Sequence, residues 1–217
     1  MYQRTKGKKG INMKKILCLL LALACAFSLF ACKSEDVMDL FVQTVEASNA
    51  TKITTRYSYT DASGEVFNGS FVTEIDGEDF VLNYDYERYA TIEEAADSYK
   101  VSVEGSVYYK DGKYSEDGET WFTTAPDTGA IAIKFNLDKA NLGEYTLSPD
   151  GNTLNATLTA EQALAVLGAD LDISGTAELT VVTNGKYLTS VSVNYTTASN
   201  GTVTLDTSYT YNTVAAE

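Results

Sequence analysis

Two periods run along the chain. Val37, Phe41 and Val45 recur at i, i+4 and i+8, with Met38 and Leu40 beside them, the stripe of an amphipathic helix. Asp36 stands where an N-cap belongs, and Asn49-Ala50-Thr51 ends the run at about Ser48. From Lys52 the period falls to two. Lys52–Thr60 places Ile53, Thr55, Tyr57 and Tyr59 on one face. Glu65–Ile75 does the same with Phe67, Phe71 and Ile75, with Gly69 between them, and Phe80–Tyr86 with Phe80, Leu82, Tyr84 and Tyr86. Asp61-Ala62-Ser63-Gly64 and Asp76-Gly77 are turns between them, so the first three strands form a meander.

Thr91–Ser98 interrupts the alternation as a loop or short helix, and Tyr99–Lys110 resumes it with Val101, Val103 and Val107. Asp111-Gly112 and Asp117-Gly118 signal hairpins; Glu119–Thr123 then carries the only Trp, Trp121. Ala125-Pro126-Asp127 reads as a loop, and Ile131–Leu137 as either a strand or a helical turn. Glu144–Leu147 and Thr153–Leu158 flank a Pro-Asp-Gly-Asn turn. Thr159 and Gln162 then form a capping box, Ala160 to Leu167 are good helix formers, and Gly168 suits the C-terminal cap. Three more strands follow: Thr176–Thr183, Lys186–Thr197 after an Asn184-Gly185 type I′ signal, and Thr202–Asn212 after Asn200-Gly201. Tyr187, Val191, Val193 and Tyr195 share one face, as do Val203, Leu205, Tyr209 and Tyr211.

Strict alternation means a sheet with one buried and one wetted face, and hairpin connections make it antiparallel. A sheet and two helices bury their apolar sides most simply in two layers. The expected fold is α+β: a curved, mostly antiparallel half-barrel of about nine strands with helices packed on its concave face. No linker divides residues 36–217, which read as a single domain.

The first 31 residues read as a secretory signal. Lys14 and Lys15 form a charged region, and Ile16 to Phe30 an apolar stretch of 15 residues, short for a transmembrane helix. Leu29-Phe30-Ala31-Cys32 follows, and this tetrapeptide resembles the lipobox of bacterial lipoproteins. The resemblance implies that Cys32 carries diacylglycerol and becomes the new N-terminus, with residues 32–35 as a lipidated tether. A plain secretory signal or an uncleaved anchor is the alternative. Ala22-Leu23-Ala24-Cys25 is a poorer box that would cut the apolar stretch short. The polar, basic MYQRTKGKKGIN ahead of Met13 suits a translated ribosome-binding site, which points to Met13 as the start; a long charged region is the other reading. Lipidation implies an extracytoplasmic protein held on the bacterial cell membrane by acyl chains.

A helix, a long meander, an inserted helix and a closing meander behind a lipobox resemble the lipoprotein-carrier half-barrel family (LolA-, LolB- and LppX-like), across about residues 36–212. The resemblance implies a cavity between sheet and helices that holds a lipid or other apolar ligand. Residues facing such a cavity would include Tyr57, Phe71, Leu82, Tyr84 and Trp121. The alternative is a non-enzymatic cell-envelope adaptor that binds glycan or protein through its outer sheet face.

Charge and composition narrow the chemistry. The chain has 16 basic and 30 acidic residues, a formal charge of −14. The signal removes six bases and no acid, so the 186 residues from Cys32 onward carry −20. That disfavours nucleic acid as a partner, since a polyanion needs clustered Lys and Arg. His is absent, which removes Ser-His-Asp triads, Cys-His pairs and His metal ligands. All three Cys lie at or before Cys32 and leave no disulfide for the body. The acidic turns Asp76–Asp79 and Glu116–Glu119 lack the spacing of a calcium loop and read as turns. No catalytic residue, metal or cofactor is assigned; a carboxylate-pair hydrolase is the remaining enzymatic option. A monomer is expected.

Overall fold

A computed structural model describes residues 37–61, 64–89, 100–128, 135–169 and 171–212. The lipobox with Cys32, the cap Asp36, the Thr91–Ser98 segment and Ile131 to Lys134 lie outside the described residues. Helix α1 runs over 37–46, with Met38, Phe41 and Val45 buried and Leu40 61% exposed. Ten strands follow: β1 (Lys52–Asp61), β2 (Gly64–Asp76), β3 (Asp79–Tyr89), β4 (Lys100–Lys110), β5 (Lys113–Ser115), β6 (Glu144–Leu147), β7 (Thr153–Thr159), β8 (Ile173–Thr183), β9 (Leu188–Thr197) and β10 (Thr202–Thr210). Helix α2 (Ala160–Leu167) separates β7 from β8.

All ten strands belong to one antiparallel sheet in the order β5-β4-β3-β2-β1-β10-β9-β8-β7-β6. The sheet does not close: β5 and β6 are its edges. Two meanders meet where β1 pairs with β10. The segment between Ser115 and Glu144 therefore connects opposite edges of the sheet. No helix among the described residues is long and apolar enough to cross a membrane.

Within the strands the register places the predicted apolar positions on one face. Tyr57 lies opposite both Leu205 and Gly69, Phe71 opposite Tyr84, Leu82 opposite Val107, and Leu205 opposite Val193. Leu179 and Ala156 continue the same row to β7. The two halves of this face differ in burial. On β7–β10, Leu154, Leu158, Leu179, Val181, Val193 and Leu205 are almost fully buried. Helix α2 packs against β7 and β8, and its Ala163, Val166 and Leu167 are buried. Leu137 and Leu142, from the segment that joins the two edges, are buried too, and the Asn136 amide donates to the Val166 carbonyl at 2.7 Å.

Local chemistry sets the element ends. The capping box forms as predicted: the Gln162 amide donates to Thr159 Oγ1 and the Thr159 amide to Gln162 Oε1, while Gly168 closes the helix in the left-handed region. At the β4–β5 hairpin Asp111 and Gly112 both have positive φ, 51° and 77°, the type I′ geometry.

The sheet has ten described strands against the nine or so expected, the shortest being β5 with three residues. Two expectations are corrected. The hairpin signalled by Asp117-Gly118 forms no ladder: a single bridge joins Tyr114 and Phe122. Asn184-Gly185 is no two-residue type I′ turn. Asn184 Oδ1 instead accepts from the amides of Lys186 and Tyr187, which opens a four-residue loop between Thr183 and Leu188. Tyr187 thereby leaves β9, stacks on Tyr211 at 4.5 Å, and yields its place in the ladder to buried Leu188.

Leu188 is tied on both sides. Its amide donates to Ser48 Oγ, which donates in turn to the Thr44 carbonyl, and its carbonyl accepts from the Tyr211 hydroxyl at 2.6 Å. The end of α1 is thus fastened to the start of β9.

Candidate functional site

Tyr57, Phe71, Leu82 and Tyr84 all lie on the apolar face, on β1, β2 and β3. This half is less covered than the other. Phe71, Tyr86 and Val107 are buried, but Tyr57, Phe67, Leu82 and Tyr84 remain half-buried. The aromatic rings form a contiguous patch. Phe67 packs edge-on to Tyr57 at 5.0 Å and stacks on Tyr86 at 4.9 Å; Tyr86 lies 5.9 Å from Phe71 and 6.1 Å from Tyr84. Burial pushes the Tyr57 phenol up from its ordinary pKa, with Tyr59 adding to the shift. Tyr84 is raised by desolvation first, then by Glu116 and Tyr86. These phenols stay neutral hydrogen-bonding groups in a largely apolar surface.

Sequence reasoning missed a cleft at one end of this face. Ile53 of β1, Ile75 of β2 and Tyr209 of β10 line it with Ser48 to Thr51, the segment leaving α1, around a volume of about 490 Å³. Burial drives the Tyr209 pKa up to about 12, with a smaller contribution from Tyr211. The signal was present: Ile53 and Tyr209 belong to predicted apolar rows, but only the β1–β10 pairing sets them opposite each other.

Trp121 is not with the other four. The opposite face carries the cross-strand row Lys52, Glu74, Val81, Tyr108 and Ser115. Trp121 lines a groove of about 430 Å³ over that row, with Glu74, Val81 and Tyr108 below it and Asp76, Asp79 and Lys110 at its end. The loop that presents Trp121 is held by one carboxylate. Asp117 accepts from Ser115 Oγ at 2.9 Å, from the amides of Glu119 and Thr120 at 2.8 and 2.7 Å, and from Thr120 Oγ1 at 3.0 Å. The Thr120 and Glu119 amides are the main reason its pKa lies far below the usual carboxylate range. The acidic turn is therefore an internally bonded Asx structure, and among the described residues no three Asp, Glu or Cys side chains converge as metal ligands.

No family model matches the chain, and no curated protein matches it. Away from the Trp121 corner the outer face is mostly polar, with Thr54, Arg56 and Ser58 on β1, Ser190 and Ser192 on β9, and Asp206 and Ser208 on β10, interrupted by Val72 and Val182. Its side chains bond to one another across strands, as Thr204 Oγ1 does to Asn194 Oδ1 and Ser106 Oγ to Asn83 Oδ1.

Proposed function

We propose that the chain is a lipid-anchored extracytoplasmic lipoprotein that binds a lipid or other apolar ligand between the concave face of its sheet and the helices. One observation carries the reading: the apolar face is closed over β7–β10 but only half-buried at Tyr57, Phe67, Leu82 and Tyr84. Apolar pockets lined by rings with a few polar tips suit ligands that are mostly hydrocarbon with one polar end. The cleft beside Ile53, Ile75 and Tyr209 extends the same surface.

The anchor is the acylated Cys32. Each buried CH₂ contributes about 0.8 kcal/mol, so one chain binds marginally and two hold firmly. A body of charge −20 is repelled by anionic headgroups, which leaves attachment to the acyl chains. The direct test is purification from the native membrane followed by organic extraction and mass spectrometry. The proposal expects a co-purified lipid and a diacylglyceryl mass on Cys32 that is absent in Cys32→Ala. Protein free of lipid, with unchanged membrane partitioning of Cys32→Ala, would defeat it.

A second reading has its own support. Trp121 and Tyr108, each 36% exposed, stand beside carboxylates on the outer face. That corner is where a cell-envelope adaptor would grip a polar ligand.

A further inference from the structure

We infer that the Trp121 groove is a binding site for an organic cation, an ammonium group on a short apolar stem. This rests on the second reading and gives its ligand a chemistry. The floor of the groove is apolar and aromatic at Val81 and Tyr108, and Trp121 forms its wall. Both side chains are partly exposed, 36% each. A cation over the face of Trp or Tyr is attracted by the ring quadrupole, and aromatic cages of this kind take quaternary ammonium groups.

The charges select the same ligand. Glu74 is paired with Lys52 at 3.1 Å, which leaves Asp76 and Asp79 against Lys110 among the residues that line the groove, with Lys113 across the ladder from Lys110 and Glu78 and Asp111 in the adjoining turns. The excess is negative, and the chain as a whole carries −14. An anion is therefore repelled both locally and at long range, whereas a cation is steered in. A neutral sugar could stack on Trp121 but would leave the excess negative charge of the lining unbalanced.

The wall is built before any ligand arrives. Ser115, buried on the same row as Tyr108, bonds to Asp117, and Asp117 fixes the amides of Glu119 and Thr120 immediately before Trp121. Gly118 passes close enough to Tyr108 that a Cβ there would touch its ring, at 4.0 Å. Asp117 is thus a positioning residue, already saturated by the loop, and the ligand carboxylates are Asp76 and Asp79.

Trp121 is the only Trp in the chain, so its fluorescence reports this groove alone. The test titrates the full chain, in a non-ionic detergent, with choline chloride against sodium chloride at equal ionic strength, and separately with cellobiose. The expected result is a saturable change with choline and none with sodium. Its apparent Kd should rise about fivefold or more in Asp79→Asn and in Tyr108→Ala, and measurably in Asp76→Asn. Asp76 is exposed, so that last variant keeps the fold intact. A response to cellobiose and not to choline overturns the cation and keeps the adaptor reading. No response to either overturns the groove as a site for a small ligand. A choline response unchanged in all three variants overturns the assignment to this groove.

Discussion

Gly69 and Tyr86 face each other directly across β2 and β3, and the Tyr86 side chain occupies the space a Cβ on Gly69 would need. Tyr86 is buried there and stacks on Phe67 and Phe71. Gly105 and Tyr84 form a similar pair one strand further out, but there the obstacle is the far end of the Tyr84 ring. The two positions differ in what can give way. Gly69→Ala would have to move Tyr86 at its Cα and Cβ, so overpacking should cost about 1–3 kcal/mol. Gly105→Ala can be relieved by swinging a half-buried ring and should cost less. Urea midpoints of the two variants check the order; a reversed order would mean that the ring patch is not held as described.

The capping box on α2 makes a second, quantitative prediction. Thr159 Oγ1 accepts from the Gln162 amide at 3.3 Å, and the eight-residue helix has little propensity to spare. Thr159→Ala should destabilise the fold by about 1 kcal/mol, while Thr159→Ser should be nearly neutral. Thermal melts of the two variants give the comparison.

The rows of the sheet were legible because a half-buried strand must alternate. Ile53, Phe71, Leu82 and Val193 announce their face by spacing alone, and the pairing of β1 with β10 only joins rows already known. What alternation does not encode is a competing side-chain bond. Asn184 reads as a tight-turn residue, yet its carboxamide takes two amides of the loop and shifts Tyr187 out of the strand. Trp121 was misgrouped for a related reason. It lies outside any ladder except the Tyr114–Phe122 bridge, so no period assigns it a face, and the Asp117 turn decides where it points. The difference in burial between the two halves of the apolar face was invisible as well, since it depends on which strands α2 and the edge-to-edge segment reach.

The Asp117 turn also predicts an acid response. Its folded pKa is depressed, so the carboxylate stabilises the loop above the unfolded value of about 3.8, and that contribution fades as pH falls from there toward the folded pKa. Between about pH 4 and pH 2, Trp121 emission should shift to longer wavelength before the far-ultraviolet circular dichroism of the sheet changes. Asp117→Ala should show the shifted emission already at pH 7. Emission that moves only with global unfolding would remove the turn's role in placing Trp121.

Alkali should act across the sheet, at the same end but on the apolar face. Burial raises Tyr209 from 10.0 to about 12, so the folded chain holds this proton longer than the unfolded chain does. The stabilisation is fully present below pH 10 and is lost as pH climbs from 10 to about 12. Tyr209→Phe removes the ionisable group and should lose less stability between pH 7 and pH 11 than the wild type. Denaturation midpoints at the two pH values measure it, and equal losses would place Tyr209 in contact with water.

The sharpest test of the ligand reading compares two leucines on the same apolar face. Leu205 is 2% exposed on β10, and Leu82 is half-buried on β3. Leu205→Ala opens a cavity in closed core and should cost about 2–5 kcal/mol. Leu82→Ala removes a side chain that water already reaches in part, so its cost should be distinctly smaller, about 1 kcal/mol. Ligand retention should rank the other way: Leu82→Ala should lower the amount of co-purified lipid per protein, and Leu205→Ala should leave it unchanged wherever the variant still folds. The two rankings are linked by one physical condition, that the β1–β4 half of the face is completed by a ligand and not by the chain. If Leu82→Ala proves as destabilising as Leu205→Ala, in protein stripped of lipid, that half is closed core with no room for an apolar guest, and the carrier reading falls with it.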